Sequence, residues 1–113
     1  MLNDSINFIN DAIELLELKK QVFIKFKFKS SEDSEGEYLP SYTNGKLKTH
    51  KVTIYCRDNT RTIQSLVLHE LIHAKQEEMG INEIHGKVFK KWALILSHKF
   101  NIDGIYLPEF DLS

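Results

Sequence analysis

The segment His69-Glu70-Leu71-Ile72-His73, near the middle of the chain, constrains the structure more than any other stretch. On a helix, residues four apart lie on one face, one turn above the other, so the imidazole rings of His69 and His73 can hold one metal ion. Glu70 directly follows His69 on the helix, which places its carboxylate beside such an ion, within reach of a bound water. A random arrangement of the same residues would contain this motif only ~2% of the time. The motif therefore predicts a helix that binds a metal.

The residues around the motif predict where this helix begins and ends. Thr60 to Met79 has the pattern of one helix, with Asn59 or Thr60 as its N-terminal cap and Gly80 as the glycine that follows its last turn. Burying two histidines and a glutamate on such a helix is costly without a partner, and a metal ion is the simplest partner. A broad apolar surface predicts burial on most sides of the helix, and its residues are Ile63, Leu66, Val67, Leu71, Ile72 and Ala74.

A catalytic zinc ion usually has three protein ligands and one open position, so a third ligand is needed elsewhere. One class of zinc peptidase would have Gly at position 76 and His at position 79, but this chain has Gln76 and Met79. Another class would have a glutamate on the following helix, and residues 90–100 contain no acid. His85 is the candidate that is left. Asn82 can cap a second helix whose first turn contains His85 and returns to the end of the first helix.

These motifs resemble those of the SprT-like metallopeptidase family, which includes the Spartan proteases that degrade DNA-crosslinked protein. The similarity covers residues 22–100, and it is carried by the sequence HELIHA at 69–74 and by HGxxF at 85–89, which a Trp-Ala pair follows.

The resemblance implies zinc-dependent proteolysis, with one Zn²⁺ ion on His69, His73 and His85 and with Glu70 as the general base. Members of the family commonly carry a zinc ribbon with paired cysteines or DNA-binding extensions. This chain has a single cysteine. We therefore expect residues 1–113 to form one SprT-like metallopeptidase domain without a ribbon or a DNA-binding extension.

The pattern along the chain predicts an α+β fold of the zincin-like, minimal metalloprotease type, in which a small sheet of three to four strands packs with three helices. An N-terminal helix is expected over residues 3–20, with Lys19 and Lys20 in its last turn. A C-terminal helix is indicated by apolar residues at helical spacing, and Asn101 is expected to end it. Those apolar residues are Phe89, Trp92, Ala93, Leu96 and Phe100.

Three strands are predicted, over residues 22–29, 38–42 and 49–57. Asn44-Gly45 indicates a tight turn between the second and third, and Pro40 predicts that its strand lies at an edge or contains a bulge. By analogy with zincins, we expect either that Lys51 to Cys56 is the edge strand that holds substrate or that it is an ordinary internal strand. In the first strand a half-buried face is predicted, made of Val22, Ile24, Phe26 and Phe28.

Composition narrows the class of protein. The net charge of −1 argues against a general polyanion binder. No apolar run is long enough to span a bilayer, and residues 1–20 are acidic and amphipathic, unlike a signal peptide. Cys56 has no second cysteine to pair with, which suits a reducing compartment. We expect a cytoplasmic protein with no membrane partner.

Peptide-bond hydrolysis, with a protein or peptide as substrate, is the leading hypothesis. Tyr42, Tyr55 and Tyr106 are candidates for stabilising the oxyanion. Glu77 is expected either to orient a ligand or, more simply, to be solvated. His50 and His98 are expected to be surface histidines.

Two other functions stay open. One is a catalytically silent domain that keeps its metal for folding or for partner binding, although a purely structural site has no need of Glu70. The other is a DNA-recruited protease of crosslinked proteins, based on the family and on a lysine row formed by Lys25, Lys27 and Lys29.

Overall fold

A computed structural model describes residues 2–28, 35–56 and 62–106, with the side chains of residues 2–6 outside the description. The described chain has an α+β fold with three helices and a mixed, three-stranded sheet. In chain order, the elements are α1 (Leu2–Leu15), β1 (Gln21–Lys27), β2 (Gly36–Thr43), β3 (Lys46–Tyr55), α2 (Ile63–Met79) and α3 (Lys87–Phe100).

The sheet has the order β1-β3-β2, so the last strand in sequence lies between the first two. β1 runs parallel to β3, and β2 runs antiparallel to it. Asn44 and Gly45 form the two-residue connection from β2 to β3, and both have positive φ, 54° and 76° respectively. The predicted tight turn is thereby confirmed, because two left-handed residues twist a hairpin in the same sense as its strands.

The strand order corrects one expectation. Residues 51–55 belong to β3, the central strand, and therefore cannot be the edge that holds an added strand. The alternative, an internal strand, is right for this segment. Pro40 lies on β2 at an edge of the sheet, and a register shift follows it between Ser41 and Tyr42. Both features suit a residue that has no backbone N–H to donate.

The predicted apolar face of β1 is only partly correct. Val22 and Ile24 are half-buried and contact the core. Phe26 and Phe28 are 50% and 92% exposed, because the described helices do not cover this end of the strand. Lys25 and Lys27 of the proposed lysine row are exposed, and the third lysine of that row, at position 29, lies outside the described residues.

α1 ends five residues earlier than the sequence predicts. Its last helical residue is Leu15, and Glu17 has a left-handed backbone with φ 55°. The N–H of Leu18 then bonds to the carbonyl of Ile13, which closes the helix. The two lysines at 19 and 20 therefore lie beyond the helix rather than in its last turn.

α2 begins at Ile63, three residues later than predicted. Thr62 is its N-terminal cap, because the Thr62 side chain accepts a hydrogen bond from the N–H of Ser65 at 3.1 Å. The predicted caps at 59 and 60 lie outside the described residues. Gly80 is confirmed as the C-terminal cap, since it has φ 72° and its N–H bonds to carbonyls of the last turn.

α2 lies at the centre of the fold, where it packs against β2, β3, α1 and α3. Every residue from Ser65 to Ile72 is buried, which confirms the prediction of burial on most sides. Around it, the described residues form one apolar core, with buried members Ala12, Leu16, Val52, Ile54, Leu66, Val67, Leu68, Leu71, Ile72, Phe89, Ala93, Leu96 and Ile105.

α3 begins later than the sequence predicts, and this changes the setting of His85. Its N-terminal cap is Gly86 and its first residue is Lys87, so His85 lies in the turn before the helix rather than in its first turn. A Cβ at position 86 would lie 2.8 Å from the Cβ of Glu83, so this tight turn requires glycine. Asn101, with φ 54°, ends α3 as predicted.

The radius of gyration is 13.4 Å, the value of a compact chain of this length. Among the described residues, none of the helices combines the length and the apolar character that crossing a membrane requires.

Candidate metal centre

The structure brings the three predicted histidine ligands together. The ring centroids of His69, His73 and His85 form a nearly equilateral triangle with sides of 4.9, 5.0 and 5.1 Å. The turn after α2 is short enough to return His85 to the helix face that carries the other two. One ligand atom from each ring lies within 4.8 Å of the others, and the Nε2 atoms of His69 and His85 are 3.2 Å apart.

Hydrogen bonds at the far side of two rings determine which nitrogen faces the centre. The Nδ1 atom of His69 lies 2.7 Å from the carbonyl oxygen of Ile105. A carbonyl only accepts, so this Nδ1 carries the proton, and the lone pair is on Nε2. The segment after α3 thus orients the first ligand, and the Ile105 side chain itself is buried.

Gln76 orients the second ligand and also holds the turn that carries the third. Its Nε2 donates to the carbonyl of Glu83 at 2.7 Å, which leaves Oε1 to accept from Nδ1 of His73 at 3.1 Å. Gln76 is only 4% exposed, so these bonds are shielded from water. Sequence reasoning used this position only to exclude a class of peptidase. The spacing of three residues from His73, on the same helix face, is the signal that could have identified it.

Phe89 forms the apolar wall of the triangle. Its ring is 4.8, 4.9 and 4.7 Å from the rings of His69, His73 and His85, and it is fully buried. The sequence placed it correctly in the core, while its contact with all three histidines was not foreseen. An apolar wall of this kind limits the rotation of each ring and lowers the local dielectric.

These residues fit a metal ion. Tetrahedral zinc with Zn–N bonds of ~2.0–2.1 Å places neighbouring nitrogens about 3.3 Å apart, and the Nε2 atoms of His69 and His85 are separated by 3.2 Å. Two imidazole nitrogens this close need a proton or a cation between them. The outer hydrogen bonds leave Nε2 of His69 and Nε2 of His73 unprotonated, so with His85 this donor set could hold a cation.

Glu70 is fully buried on α2, next to His69 in the chain. Its carboxylate lies against the backbone of β2, where a Cβ at Gly36 would be only 2.7 Å from Oε2. A larger residue at 36 would therefore displace this carboxylate. The absence of a side chain at Gly36 is thus what allows the carboxylate to lie between α2 and the first residue of β2.

The prediction that His50 is a surface histidine is wrong, because its side chain is fully buried. Its Nδ1 bonds to the hydroxyl of Tyr38 at 2.7 Å, and its Nε2 bonds to Oε2 of Glu78 at 2.7 Å. The carboxylate of Glu78 also accepts from the backbone N–H groups of Lys19 and Lys20. His98, in contrast, is exposed as expected.

Two pKa shifts follow from this network. Burial raises the pKa of the Glu78 carboxyl, but the hydrogen bonds from His50 and from the N–H groups of Lys19 and Lys20 outweigh it and lower the pKa below its ordinary value of 4.5. Burial, with the nearby charge of Glu77, raises the pKa of Tyr38, so its hydroxyl stays protonated.

We expect Glu78→Gln to be less stable than the wild type at neutral pH, with a difference that shrinks in acid. The unfolded chain has the higher Glu78 pKa, so its carboxyl takes up a proton first as the pH falls. The stabilisation is therefore present above about pH 4.5 and is lost as the pH falls through the lower pKa of the folded state. Urea unfolding of both zinc-free proteins, from about pH 7 to about pH 3, measures the difference. A difference that is constant over this range would contradict the expectation.

The three tyrosines proposed to stabilise the oxyanion have different contacts in the structure. Tyr42 donates a hydrogen bond to Glu77, and Tyr55 donates one to Glu37 at 3.0 Å; each bond raises the pKa of its phenol. Glu77 is thus half-buried and bonded to β2, rather than solvated. The ring of Tyr106 lies against a candidate ligand, with its centroid 5.8 Å from that of His85.

The chain matches no protein-family model, and comparison with curated proteins and with solved structures also finds no match.

Proposed function

We propose that this protein is a zinc-dependent metallopeptidase of the SprT-like, zincin type, in which His69, His73 and His85 hold one Zn²⁺ ion and Glu70 is the general base. The observation that carries the proposal is the convergence of three imidazoles, two of them oriented by outer hydrogen bonds, beside a fully buried glutamate. A site that only stabilised the fold would need the histidines and would have no use for the buried acid.

Zinc held there would act as a Lewis acid and would lower the pKa of a water in its open position toward about 7. Glu70 would accept a proton from the attacking water and would pass it to the leaving amine. Burial makes the carboxylate effective, because a charge acts more strongly where water is excluded. Gly36 keeps the carboxylate in place by leaving room for Oε2.

β2 is the strand that suits an extended polypeptide substrate. It lies at an edge of the sheet and packs along α2 in the same order of residues: Gly36 is near Glu70, and Tyr38 is near His73. A peptide added to the outer edge of β2 would therefore run past the metal ligands. This mode of binding uses main-chain hydrogen bonds and accepts many sequences. We accordingly propose unfolded or extended protein as the substrate.

Tyr106 is the preferred candidate for stabilising the oxyanion. Its ring lies 5.8 Å from His85 and 5.9 Å from Phe89, and the ammonium group of Lys90 is 5.5 Å from its centroid. The other two candidates have their hydroxyls committed to carboxylates. A phenol hydroxyl can donate to the oxygen on which charge develops, and the Tyr106 ring lies next to the His85 ring.

Removal of the metal tests the function. We expect purified protein to bind one equivalent of zinc and to cleave unfolded casein, to lose cleavage after dialysis against a chelator, and to regain it with one equivalent of zinc. Full cleavage by protein shown to be zinc-free would contradict the proposal. Zinc bound at one equivalent without cleavage of casein or of the protein itself would favour the catalytically silent metal-binding domain.

A further inference from the structure

A chain of side-chain contacts leaves α2 at His73 and returns to the same helix at Glu78. The ring of His73 is 6.4 Å from the ring of Tyr38 on β2. The hydroxyl of Tyr38 lies 2.7 Å from Nδ1 of His50 on β3, and Nε2 of His50 lies 2.7 Å from Oε2 of Glu78. Four residues from three elements therefore connect a candidate metal ligand with the last turn of its own helix.

The inner part of this chain has little freedom. A carboxylate only accepts, so Nε2–H of His50 donates to Glu78, and rotation of the fully buried ring would break both of its hydrogen bonds. Oε1 and Oε2 of Glu78 accept from the backbone N–H groups of Lys19 and Lys20 at 2.8–3.0 Å, which fixes the carboxylate in turn. Tyr38 is thus held at its hydroxyl by groups that cannot move independently.

His73 gains more from such support than His69 does. His69 is oriented by a backbone carbonyl at 2.7 Å, whereas His73 is oriented by the side-chain amide of Gln76 at 3.1 Å. A side-chain acceptor is less rigid than a backbone carbonyl. Phe89 limits the His73 ring from one direction, with 4.9 Å between centroids, and Tyr38 contacts it as well, with an interplanar angle of 32°. The distance of 6.4 Å between the ring centroids of Tyr38 and His73 is within the range of favourable aromatic pairs.

We propose that Tyr38 is a positioning residue for the metal ligand His73, and that the buried Glu78–His50 pair holds Tyr38 in place. The inference rests on the metal centre described above and assigns a role in it to three residues outside the ligand set. The competing interpretation is that the network only ties α2 to the sheet. That role would lower the stability of the zinc-free protein but would leave the metal affinity and the ligand geometry of the folded protein unchanged.

The test compares Tyr38→Phe with Tyr42→Phe. Both variants remove one hydroxyl from β2 that bonds to a side chain, and in the control the partner is Glu77, on the same helix as His73. Three quantities are measured: the zinc dissociation constant by competition with a chelator, the visible absorption spectrum of the Co²⁺-loaded protein, and urea unfolding of the zinc-free protein. We expect Tyr38→Phe to weaken zinc binding by about 10-fold, the lower end of the effect of outer partners, and to change the Co²⁺ spectrum. Tyr42→Phe should match the wild type in both.

The outcomes separate the inference from the function on which it rests. Wild-type zinc affinity and an unchanged Co²⁺ spectrum in Tyr38→Phe would overturn the positioning role, even if urea stability fell. Absence of zinc binding by the wild type would overturn the metal centre itself and this role with it. If Tyr38→Phe does not fold, Glu78→Gln is measured instead, because Glu78 lies at the other end of the network. We expect it to weaken zinc binding and to change the Co²⁺ spectrum as well. Unchanged metal binding in Glu78→Gln would also overturn the positioning role.

Discussion

Glu70→Gln is expected to retain zinc and to lose peptide cleavage by about 10²–10⁴-fold, the contribution of a positioned general base. Glutamine has nearly the same shape as glutamate, so the buried site beside Gly36 should still accommodate it. The amide cannot accept and return a proton as the carboxylate does, which is why the loss falls on the chemical step. Turnover of unfolded casein and zinc content, measured on the same preparations, give the two quantities.

Glu77→Gln is the matched control, because Glu77 is a glutamate on the same helix that is only half-buried and bonds to Tyr42. It should keep cleavage close to the wild-type rate. Gly36→Ala provides a second variant, since it displaces the carboxylate of Glu70 without removing it and should reduce cleavage while zinc remains bound. Wild-type turnover in Glu70→Gln would remove Glu70 from the mechanism.

His85→Ala is expected to weaken zinc binding by more than about 100-fold, because loss of an outer partner alone typically costs 10–100-fold. Its Nε2 is 3.2 Å from Nε2 of His69. Two imidazoles on one helix cannot complete the three-ligand set of a catalytic zinc site. Competition with a chelator measures the affinity, and cleavage should fall with zinc occupancy.

His98→Ala is the control for this variant, since His98 is an exposed histidine on α3. Gln76→Leu is an intermediate variant, because it removes the hydrogen-bond partner of His73 while leaving all three ligands present. We expect its affinity to fall between those of the wild type and His85→Ala. Unchanged zinc affinity in His85→Ala would require a different third ligand.

The elements whose signals are local were predictable from the sequence. The spacing of His69 and His73, the glycine after α2 and the Asn44-Gly45 turn each depend on a few neighbouring residues, and the structure has all of them. The return of His85 also followed from the sequence, because a short turn leaves few paths between two packed helices.

What could not be predicted depends on contacts between distant residues. His50 lies in a polar stretch with lysines on both sides. It is buried because Tyr38 and Glu78, 12 and 28 residues away, satisfy its two nitrogens. The position of β3 at the centre of the sheet likewise results from a parallel pairing with β1, which no turn motif signals. The early end of α1 at Leu15 had no glycine to mark it, since Glu17 takes the left-handed conformation instead.

The hydrogen bond from His69 to the carbonyl of Ile105 has a consequence for biosynthesis. The two residues are 36 positions apart in the chain. At the usual pace of synthesis, 5–20 residues per second, the ribosome adds Ile105 roughly 2–7 s after His69. During that interval the nascent polypeptide carries His69 without the carbonyl group that orients its ring. We therefore expect the proposed metal centre to reach its final ligand geometry only after this last part of the described fold has been translated.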